Sequence, residues 1–156
     1  MLLALLERLR FGVAGEHSLE PERARLIVDG LESRIQLVQG PPGTGKTTVT
    51  SLALLSRILM NQAPGAIVLV AAHTHTAVDL LLARLRQEFP GFARQASEAG
   101  LKMPRLAVRK VSSGGDVSED ALPASNCINA LKRLQSEGVV MLGSTVGTLL
   151  KLVEGL

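Results

Sequence analysis

Apolar and polar positions alternate along the chain with two different periods. Apolar residues spaced three and four apart predict six helices, at about residues 2–9, 21–31, 46–62, 76–90, 124–137 and 146–153. Short continuous apolar runs predict four strands, at 35–39, 66–72, 106–111 and 139–142. Strands that alternate with helices are typical of a parallel sheet covered by helices on both faces. We therefore predict an α/β fold, a three-layer αβα parallel sheet.

Proline, glycine and small polar residues mark the ends of these elements. Pro21 suits the first turn of a helix, and Thr74 or Thr76 is placed to cap the helix that follows the second strand. Pro64-Gly65 and Pro90-Gly91 predict the ends of two helices. We expect a polar connection at 91–104, with room for a helix inside it, and loops around Gly12–His17, at 112–120 and at 143–145. The strands at 35–39 and 66–72 are expected to be buried, the latter on both faces.

Composition narrows the possible functions. The 156 residues are 46% hydrophobic and 20% charged, which is the balance of a folded globular domain. With three Phe and neither Tyr nor Trp, the core must be aliphatic, and an aromatic platform for stacked bases is excluded. The net charge of +3 is compatible with a polyanionic partner.

The single cysteine and the hydropathy pattern indicate the cellular compartment in which the protein is expected. One cysteine, Cys127, permits no internal disulfide, so we expect a reducing, cytoplasmic location. Its side chain is read either as a small buried hydrophobe or as a reactive thiol. Charges at Glu7, Arg8 and Arg10 interrupt the apolar start, which argues against a signal peptide. No apolar stretch approaches the roughly 20 residues needed to span a membrane.

A glycine-rich segment links the first predicted strand to the helix at 46–62. Residues 40–47 read GPPGTGKT and fit G-x-x-x-x-G-K-[ST] at every constrained position. Such a P-loop wraps a triphosphate with backbone N–H groups, and its glycines adopt angles that side chains would forbid. Lys46 is expected to reach the β- and γ-phosphates and the Thr47 hydroxyl to ligate Mg²⁺, which makes both candidate catalytic residues. The predicted binding residues for ATP and Mg²⁺ are Gly40, Pro41, Pro42, Gly43, Thr44, Gly45, Lys46, Thr47 and Thr48.

Hydrolysis requires a second part, an acidic residue at the end of an apolar strand that helps to hold the magnesium. The aspartates at 29, 79, 116 and 120 fall in predicted helices or in a polar loop, and Glu154 follows a helical segment. We therefore expect this chain to bind ATP without efficient hydrolysis. We also expect it to be a piece of a larger ATPase whose sheet continues beyond the C-terminal end.

Three segments resemble one family. LVQGPPGTGKTT at 37–48 resembles motif I of superfamily 1 helicases, especially the Upf-like group (1B), and AAHTHTAVDLLLARL at 71–85 resembles that group's motif Ia. VVMLGSTVGTL at 139–149 is similar to the family's next strand and turn. The resemblance implies a partial RecA-like, ATP-binding domain at 19–156, preceded by a helix and loop at 1–18. It also implies an ATP-dependent DNA or RNA helicase that couples hydrolysis to movement along a single strand, with the rest of a larger helicase chain as partner.

The resemblance assigns further residues. In the family the turn of motif Ia touches the nucleic-acid backbone, which makes Thr74, His75 and Thr76 candidate contacts. Ser144 and Thr145 are a second set of candidates. The family also places a Gln that reads adenine about 17 residues before the P-loop, whereas this chain has Arg23 there. The DEx(Q/H) motif and the second RecA-like domain with its arginine finger do not occur in these residues.

Other interpretations remain open from sequence. The P-loop pattern also occurs in nucleotide and small-molecule kinases, and the chain could be a non-catalytic nucleotide-binding relic. Nucleic-acid-stimulated ATPase activity of the intact protein would distinguish a helicase from a kinase. His73 and His75 form either a metal pair or the polar end of a strand. Asp79 is either a helix-surface charge or a motif residue.

Overall fold

A computed structural model describes residues 1–33, 35–61, 63, 65–112, 121–123, 127–136 and 138–154. These residues form two compact units. The first contains Met1–Asn61 and Arg84–Met103, and the second contains Gln62–Ala83 and Pro104–Leu156. Of the loop predicted at 112–120, residues 113–120, with Asp116 and Asp120, lie outside the described residues, as do Pro64 and the ends of the helix predicted at 124–137.

The first unit is mainly helical. It contains α1 (Leu2–Arg8), α2 (Pro21–Glu32) and α3 (Lys46–Met60), and between the first two helices a short antiparallel hairpin of β1 (Arg10–Phe11) and β2 (His17–Ser18). The three helices confirm the sequence prediction, and Pro21 occupies the first turn of α2 as expected. Their buried apolar residues lie on the faces that the helical spacing indicates: Leu2, Leu5 and Leu6 in α1, Ala24 and Ile27 in α2, and Leu52, Leu55 and Leu59 in α3.

The hairpin was not predicted, because only two residues pair on each side. Polar contacts attach it to Glu88 and Gln95, which lie much later in the chain. The backbone N–H of Arg10 donates to Oε1 of Gln95, and Nε2 of Gln95 donates back to the Arg10 carbonyl, both at 2.8 Å. The Gly12 N–H donates to the buried carboxylate of Glu88 at 3.2 Å. Such long-range contacts leave no local signal in the sequence.

Helix α4 (His75–Glu98) is longer than predicted and runs through Pro90. The predicted helix end at Pro90-Gly91 was wrong, and the helix that the prediction allowed within 91–104 is a continuation of α4 as far as Glu98. Beyond the proline, Phe92 and Ala96 are both buried and continue the apolar stripe that begins at Val78. Burial of these side chains offsets the one backbone hydrogen bond that a proline removes. The helix ends instead at Glu98, two residues before Gly100, whose φ of +78° turns the chain away from the helical path.

The second unit contains a parallel sheet. Its strands are β3 (Ile67–Ala72), β4 (Leu106–Ser112), β5 (Ala121–Pro123) and β6 (Val139–Thr145), in the order β3-β6-β4-β5. Every pairing among them is parallel. Helix α5 (Cys127–Gln135) and α6 (Val146–Glu154) follow β5 and β6 and pack on the sheet. The predicted α/β class with a parallel sheet is confirmed.

Helices cover both faces of the central strand β6. Val140 and Leu142 pack against Cys127 and Leu131 of α5 in a buried cluster. Gly143 points to the opposite face, because side chains alternate along a strand, and there it lies against α4. This gives the helix–sheet–helix order that the alternation of elements predicts. Cys127 is fully buried in this cluster, which favours the interpretation as a small hydrophobe over a reactive thiol.

Two predicted features of the strands were wrong. β3 was expected to be covered on both faces, but Ile67 and Leu69 are 41% and 49% exposed. These residues lie on the α5 face of the sheet, and α5 packs over β5 and β6 and not over β3, which is an edge strand. Residues 143–145 were expected to form a turn, but they continue β6 by pairing with Val70, Ala71 and Ala72.

The strand predicted at 35–39 does not form. The segment adopts no regular secondary structure, and Ile35 and Leu37 are 83% and 93% exposed. A strand exists only when its backbone groups pair with another strand, and none of the described strands pairs with this segment. The Gln36 side chain is hydrogen-bonded, since its Nε2 donates to the Leu26 carbonyl at 2.8 Å. The prediction was wrong because the hydrophobic pattern of a segment does not show whether another strand is available to pair with it.

Within the described residues, no helix combines the length and the apolar character required to cross a membrane.

Candidate functional site

The segment 40–47 is a loop whose glycines adopt left-handed backbone angles. Gly43 has φ +80° and Gly45 has φ +74°, in the region that side-chain-bearing residues rarely enter. A Cβ atom at Gly43 would meet nothing within 4 Å. Glycine is therefore required at this position for its backbone conformation and not for lack of space. Left-handed glycines of this kind are a feature of the backbone turns that form anion-binding nests.

Helix α3 begins directly at this loop. Gly45 is its N-cap, and the first helical hydrogen bond runs from the Val49 N–H to the Gly45 carbonyl at 3.0 Å. The N–H groups of residues 45–48 therefore have no acceptor within the helix. Glycine offers no side-chain oxygen to occupy them, and the first turn contains no acidic residue. The helix end is thus left positive and accessible to an anion.

Polar side chains hold the loop closed. Oγ1 of Thr44 donates to the Pro41 carbonyl at 2.8 Å. The Lys46 ammonium donates to the carbonyls of Gly40 and Pro41, so it reaches across the loop. A lysine has three N–H donors, and these two bonds leave one for a phosphate oxygen. The residues present fit a triphosphate, because a cation and a set of backbone donors converge on one exposed loop.

The magnesium half of the site is less complete. Thr47 is exposed in the first turn of α3, and its backbone carbonyl accepts a hydrogen bond from the Ser51 hydroxyl at 2.9 Å. The described aspartates, Asp29 and Asp79, lie in α2 and α4. No three His, Cys, Asp or Glu side chains of the described residues are grouped so that they could hold a metal ion. Thr47 is therefore the candidate ligand that the structure places beside the loop.

A second group of predicted residues lies at the carboxyl end of β3, in the second unit. Thr74 caps α4, because its Oγ1 accepts from the Ala77 N–H at 3.2 Å. Thr74, His75 and Thr76 are exposed. Carboxyl ends of parallel strands are the usual ligand-binding edge of an α/β sheet. The structure thus presents all three side chains to solvent at such an edge.

The two candidates on β6 differ from each other. Ala71 and Ala72 pair with Ser144 and Thr145, so the end of β6 lies beside the end of β3. Ser144 is fully buried, and its hydroxyl donates to the Val111 carbonyl at 2.6 Å. Thr145 is only half-buried, and its Oγ1 lies 3.1 Å from Oγ1 of Thr148. Thr145 is therefore partly accessible to solvent at the same edge as Thr74, His75 and Thr76, whereas the Ser144 hydroxyl is hydrogen-bonded within the sheet.

The structure adds two features that sequence reasoning missed. Nζ of Lys110, on β4, lies 2.9 Å from a carboxylate oxygen of Asp79, so this half-exposed residue of α4 forms an ion pair with the sheet. Only the tertiary fold brings these two residues together.

Arg23 on α2 lies beside Gly45 of the P-loop, with its Nη1 atom 3.4 Å from the position of a Cβ at that glycine. Its place in the sequence was noted, but its approach to the loop was not foreseen.

Comparison with known proteins identifies the family. The family model described as AAA domain matches residues 18–138. "Regulator of nonsense transcripts 1 homolog" of Arabidopsis thaliana is 39% identical over 100 residues, which cover 64% of this chain and 7% of that protein. "Helicase required for RNAi-mediated heterochromatin assembly 1" of Schizosaccharomyces pombe is 33% identical over 93 residues, covering 60% of this chain and 9% of that protein. "ATP-dependent helicase NAM7" of Saccharomyces cerevisiae is 31% identical over 101 residues, covering 64% of this chain and 9% of that protein.

The chain therefore spans less than a tenth of the length of these three relatives. Their similarity confirms the resemblance drawn from the motifs at 37–48 and 71–85. The family match extends over most of the chain and includes the P-loop. The chain thus belongs to the AAA domain family, and its P-loop segment is of the Upf-like, superfamily 1B helicase type.

Proposed function

We propose that this chain binds Mg-ATP through residues 40–48 and supplies the ATP-binding segment of an ATP-dependent DNA or RNA helicase. The observation that carries the proposal is the loop itself, in which Gly43 and Gly45 are left-handed, α3 opens at Gly45 and the Lys46 ammonium spans the loop. The relatives are helicases by name, whereas the kinase interpretation has no comparable support.

Each loop residue has a definite role in this proposal. The N–H groups of residues 45–48 donate to phosphate oxygens, because the helix leaves them without an acceptor. Lys46 donates to the β- and γ-phosphates in place of the carbonyls of Gly40 and Pro41. The Thr47 hydroxyl ligates Mg²⁺, whose charge offsets that of the triphosphate. Thr44 keeps the loop closed through Pro41.

We propose that a nucleic-acid strand contacts this chain at the carboxyl ends of the β-strands. Thr74, His75, Thr76 and Thr145 offer short polar groups there, and α4 adds the N–H groups of its first turn. Groups of this kind contact the phosphates and sugars of nucleic acids and carry no base specificity of their own. Ser144 is assigned to positioning, since its hydroxyl holds β6 to β4. We also propose that residues 19–156 are the partial RecA-like domain, supported by a family match that starts at residue 18.

Isothermal titration calorimetry with Mg-ATP tests the nucleotide proposal. The unmodified chain should bind, and Lys46→Ala should weaken binding by at least about tenfold, because a hydrogen bond to a charged group is worth about 1.5–3 kcal/mol. Lys151→Ala removes an exposed lysine from α6 and is the matched control, with binding unchanged. The proposal is refuted if Lys46→Ala and Lys151→Ala bind Mg-ATP equally well.

A second experiment addresses the strand contacts. Fluorescence anisotropy with a labelled single-stranded oligonucleotide should show salt-dependent binding that the double variant His75→Ala, Thr76→Ala weakens several-fold. Ser97→Ala removes an exposed hydroxyl from the other end of α4 and serves as the control. Equal binding by both variants would remove residues 75 and 76 from the proposed contacts while leaving the nucleotide proposal intact.

A further inference from the structure

An ion pair links the start of α4 to the sheet. Nζ of Lys110, on β4, lies 2.9 Å from Oδ1 and 3.0 Å from Oδ2 of Asp79, so the ammonium engages both carboxylate oxygens. The side chain of Lys110 is 14% exposed and that of Asp79 is 51% exposed. A pair with one largely buried partner is less screened by water and salt than a pair on the open surface. The contact is therefore a directional link between a helix and a strand.

The strand register places Lys110 on the face of the sheet that α4 covers. Lys110 pairs with Gly143 of β6, and paired residues of neighbouring strands point to the same face. Gly143 faces α4, where its nearest neighbours are the side chains of Val78 and Leu82. Those apolar contacts hold α4 on the sheet, but the hydrophobic effect has no preferred direction. The ion pair supplies the direction, because it holds Asp79 at one point beside β4.

Asp79 lies one helical turn from the proposed nucleic-acid contacts. His75 and Thr76 precede it by four and three residues, and residues at these spacings are neighbours on the surface of a helix. A rotation of this turn would therefore move both exposed side chains away from the phosphates of a bound strand. An unpaired carboxylate at this place would also repel those phosphates. The ammonium of Lys110 opposes both effects.

We propose that Asp79 and Lys110 are positioning residues for the nucleic-acid strand. Their ion pair holds the start of α4 so that the side chains of residues 74–76 face the phosphates together, and it neutralises a carboxylate that would oppose binding. The inference rests on the proposed strand contacts and goes beyond them, because neither residue needs to touch the strand. Contacts are most effective when surrounding residues hold them in the bound geometry, since less freedom is then lost on binding.

Fluorescence anisotropy with a labelled single-stranded oligonucleotide tests the proposal on the double variant Asp79→Ala, Lys110→Met. This variant loses one negative and one positive charge, so the net charge of the chain is unchanged, and methionine retains much of the apolar stem of the lysine. We expect binding to weaken by about two- to tenfold, the cost of ordering one or two side chains on binding. If net charge alone governed binding, the affinity would not change. Lys110→Arg retains the ion pair and should bind within about twofold of the unmodified chain.

The double variant Arg94→Met, Glu98→Ala is the matched control, because it removes an ion pair from the other end of the same helix, where Nε of Arg94 lies 4.0 Å from Oε1 of Glu98. Circular dichroism at the assay temperature gives the folded fraction of each variant, for which the affinities are corrected. The inference is overturned alone if the variant at 79 and 110 binds as tightly as the control, or if Lys110→Arg binds as weakly as that variant. If the unmodified chain does not bind the oligonucleotide, the proposed strand contacts fail and this inference with them.

Discussion

The packing of α4 on β6 depends on the absence of a side chain at Gly143. A Cβ atom there would lie 2.7 Å from Cδ1 of Leu82 and 2.8 Å from Cγ1 of Val78. Real carbon atoms do not approach so closely, and both neighbours are fully buried, so α4 must shift or the side chains must leave their rotamers. Gly143→Ala should therefore destabilise the second unit and displace the segment that carries Thr74 and Thr76.

The magnitude follows from two opposing effects. Overpacking a well-packed site costs about 1–3 kcal/mol. Replacing glycine by alanine within a strand returns about 0.5–1 kcal/mol of backbone entropy. We expect a net loss of roughly 0–2.5 kcal/mol in the free energy of unfolding, with a central value of about 1 kcal/mol, or a few degrees in melting temperature. Gly147→Ala is the matched control, because nothing lies within 4 Å of its Cβ position in α6, and it should stabilise by up to about 1 kcal/mol.

Urea denaturation followed by circular dichroism measures the change in the free energy of unfolding for Gly143→Ala and for Gly147→Ala. The decisive result is that the two changes have opposite signs. A double-mutant cycle with Val78→Ala adds a second criterion. Val78→Ala alone opens a cavity, whereas in the double variant the new methyl group fills part of that space. The two losses should then fall short of additivity by about 0.5–3 kcal/mol. If Gly143→Ala is as stable as Gly147→Ala, or the cycle is strictly additive, the packing argument is wrong.

Three further predictions follow from burial and hydrogen bonding. Leu37→Ser should change the free energy of unfolding by less than about 0.5 kcal/mol, since Leu37 is 93% exposed, whereas Leu55→Ala at a fully buried site should cost about 2–5 kcal/mol. Equal losses in denaturation experiments would mean that residues 35–39 are packed. Burial raises the pKa of the Cys127 thiol above its ordinary value of 9.0, so the folded state retains a proton that the unfolded chain releases. The free energy of unfolding should therefore decrease as the pH rises above 9, by at most about 1.4 kcal/mol per pH unit, and Cys127→Ala should remove this component. A pH dependence identical in both proteins would contradict the burial of the thiol. Thr74→Ala should cost about 1 kcal/mol by removing the cap of α4, and Thr74→Ser should retain it, as measured by thermal melting.

Much of the candidate site was predictable because its conformation is local. The P-loop is defined by consecutive residues, and Gly43 and Gly45 specify left-handed angles whatever surrounds them. The N-terminus of α3 was predictable for the same reason, as was the capping role of Thr74. The exposure of Thr74–Thr76 and the burial of Ser144 were not, because they depend on which strands are neighbours.

The amino-acid sequence by itself determined the α/β class, the positions of the helices that begin at Pro21 and Lys46, and the left-handed glycines of the loop at 40–47. Each of these follows from periodicity or from backbone angles that a few adjacent residues dictate. Tertiary structure alone decided that α4 continues through Pro90, that β6 extends to Thr145, and that residues 35–39 remain unpaired. It also placed Arg23 beside Gly45 and Lys110 beside Asp79. These features depend on burial and on pairing between distant segments, where the free energy of packing outweighs local propensity.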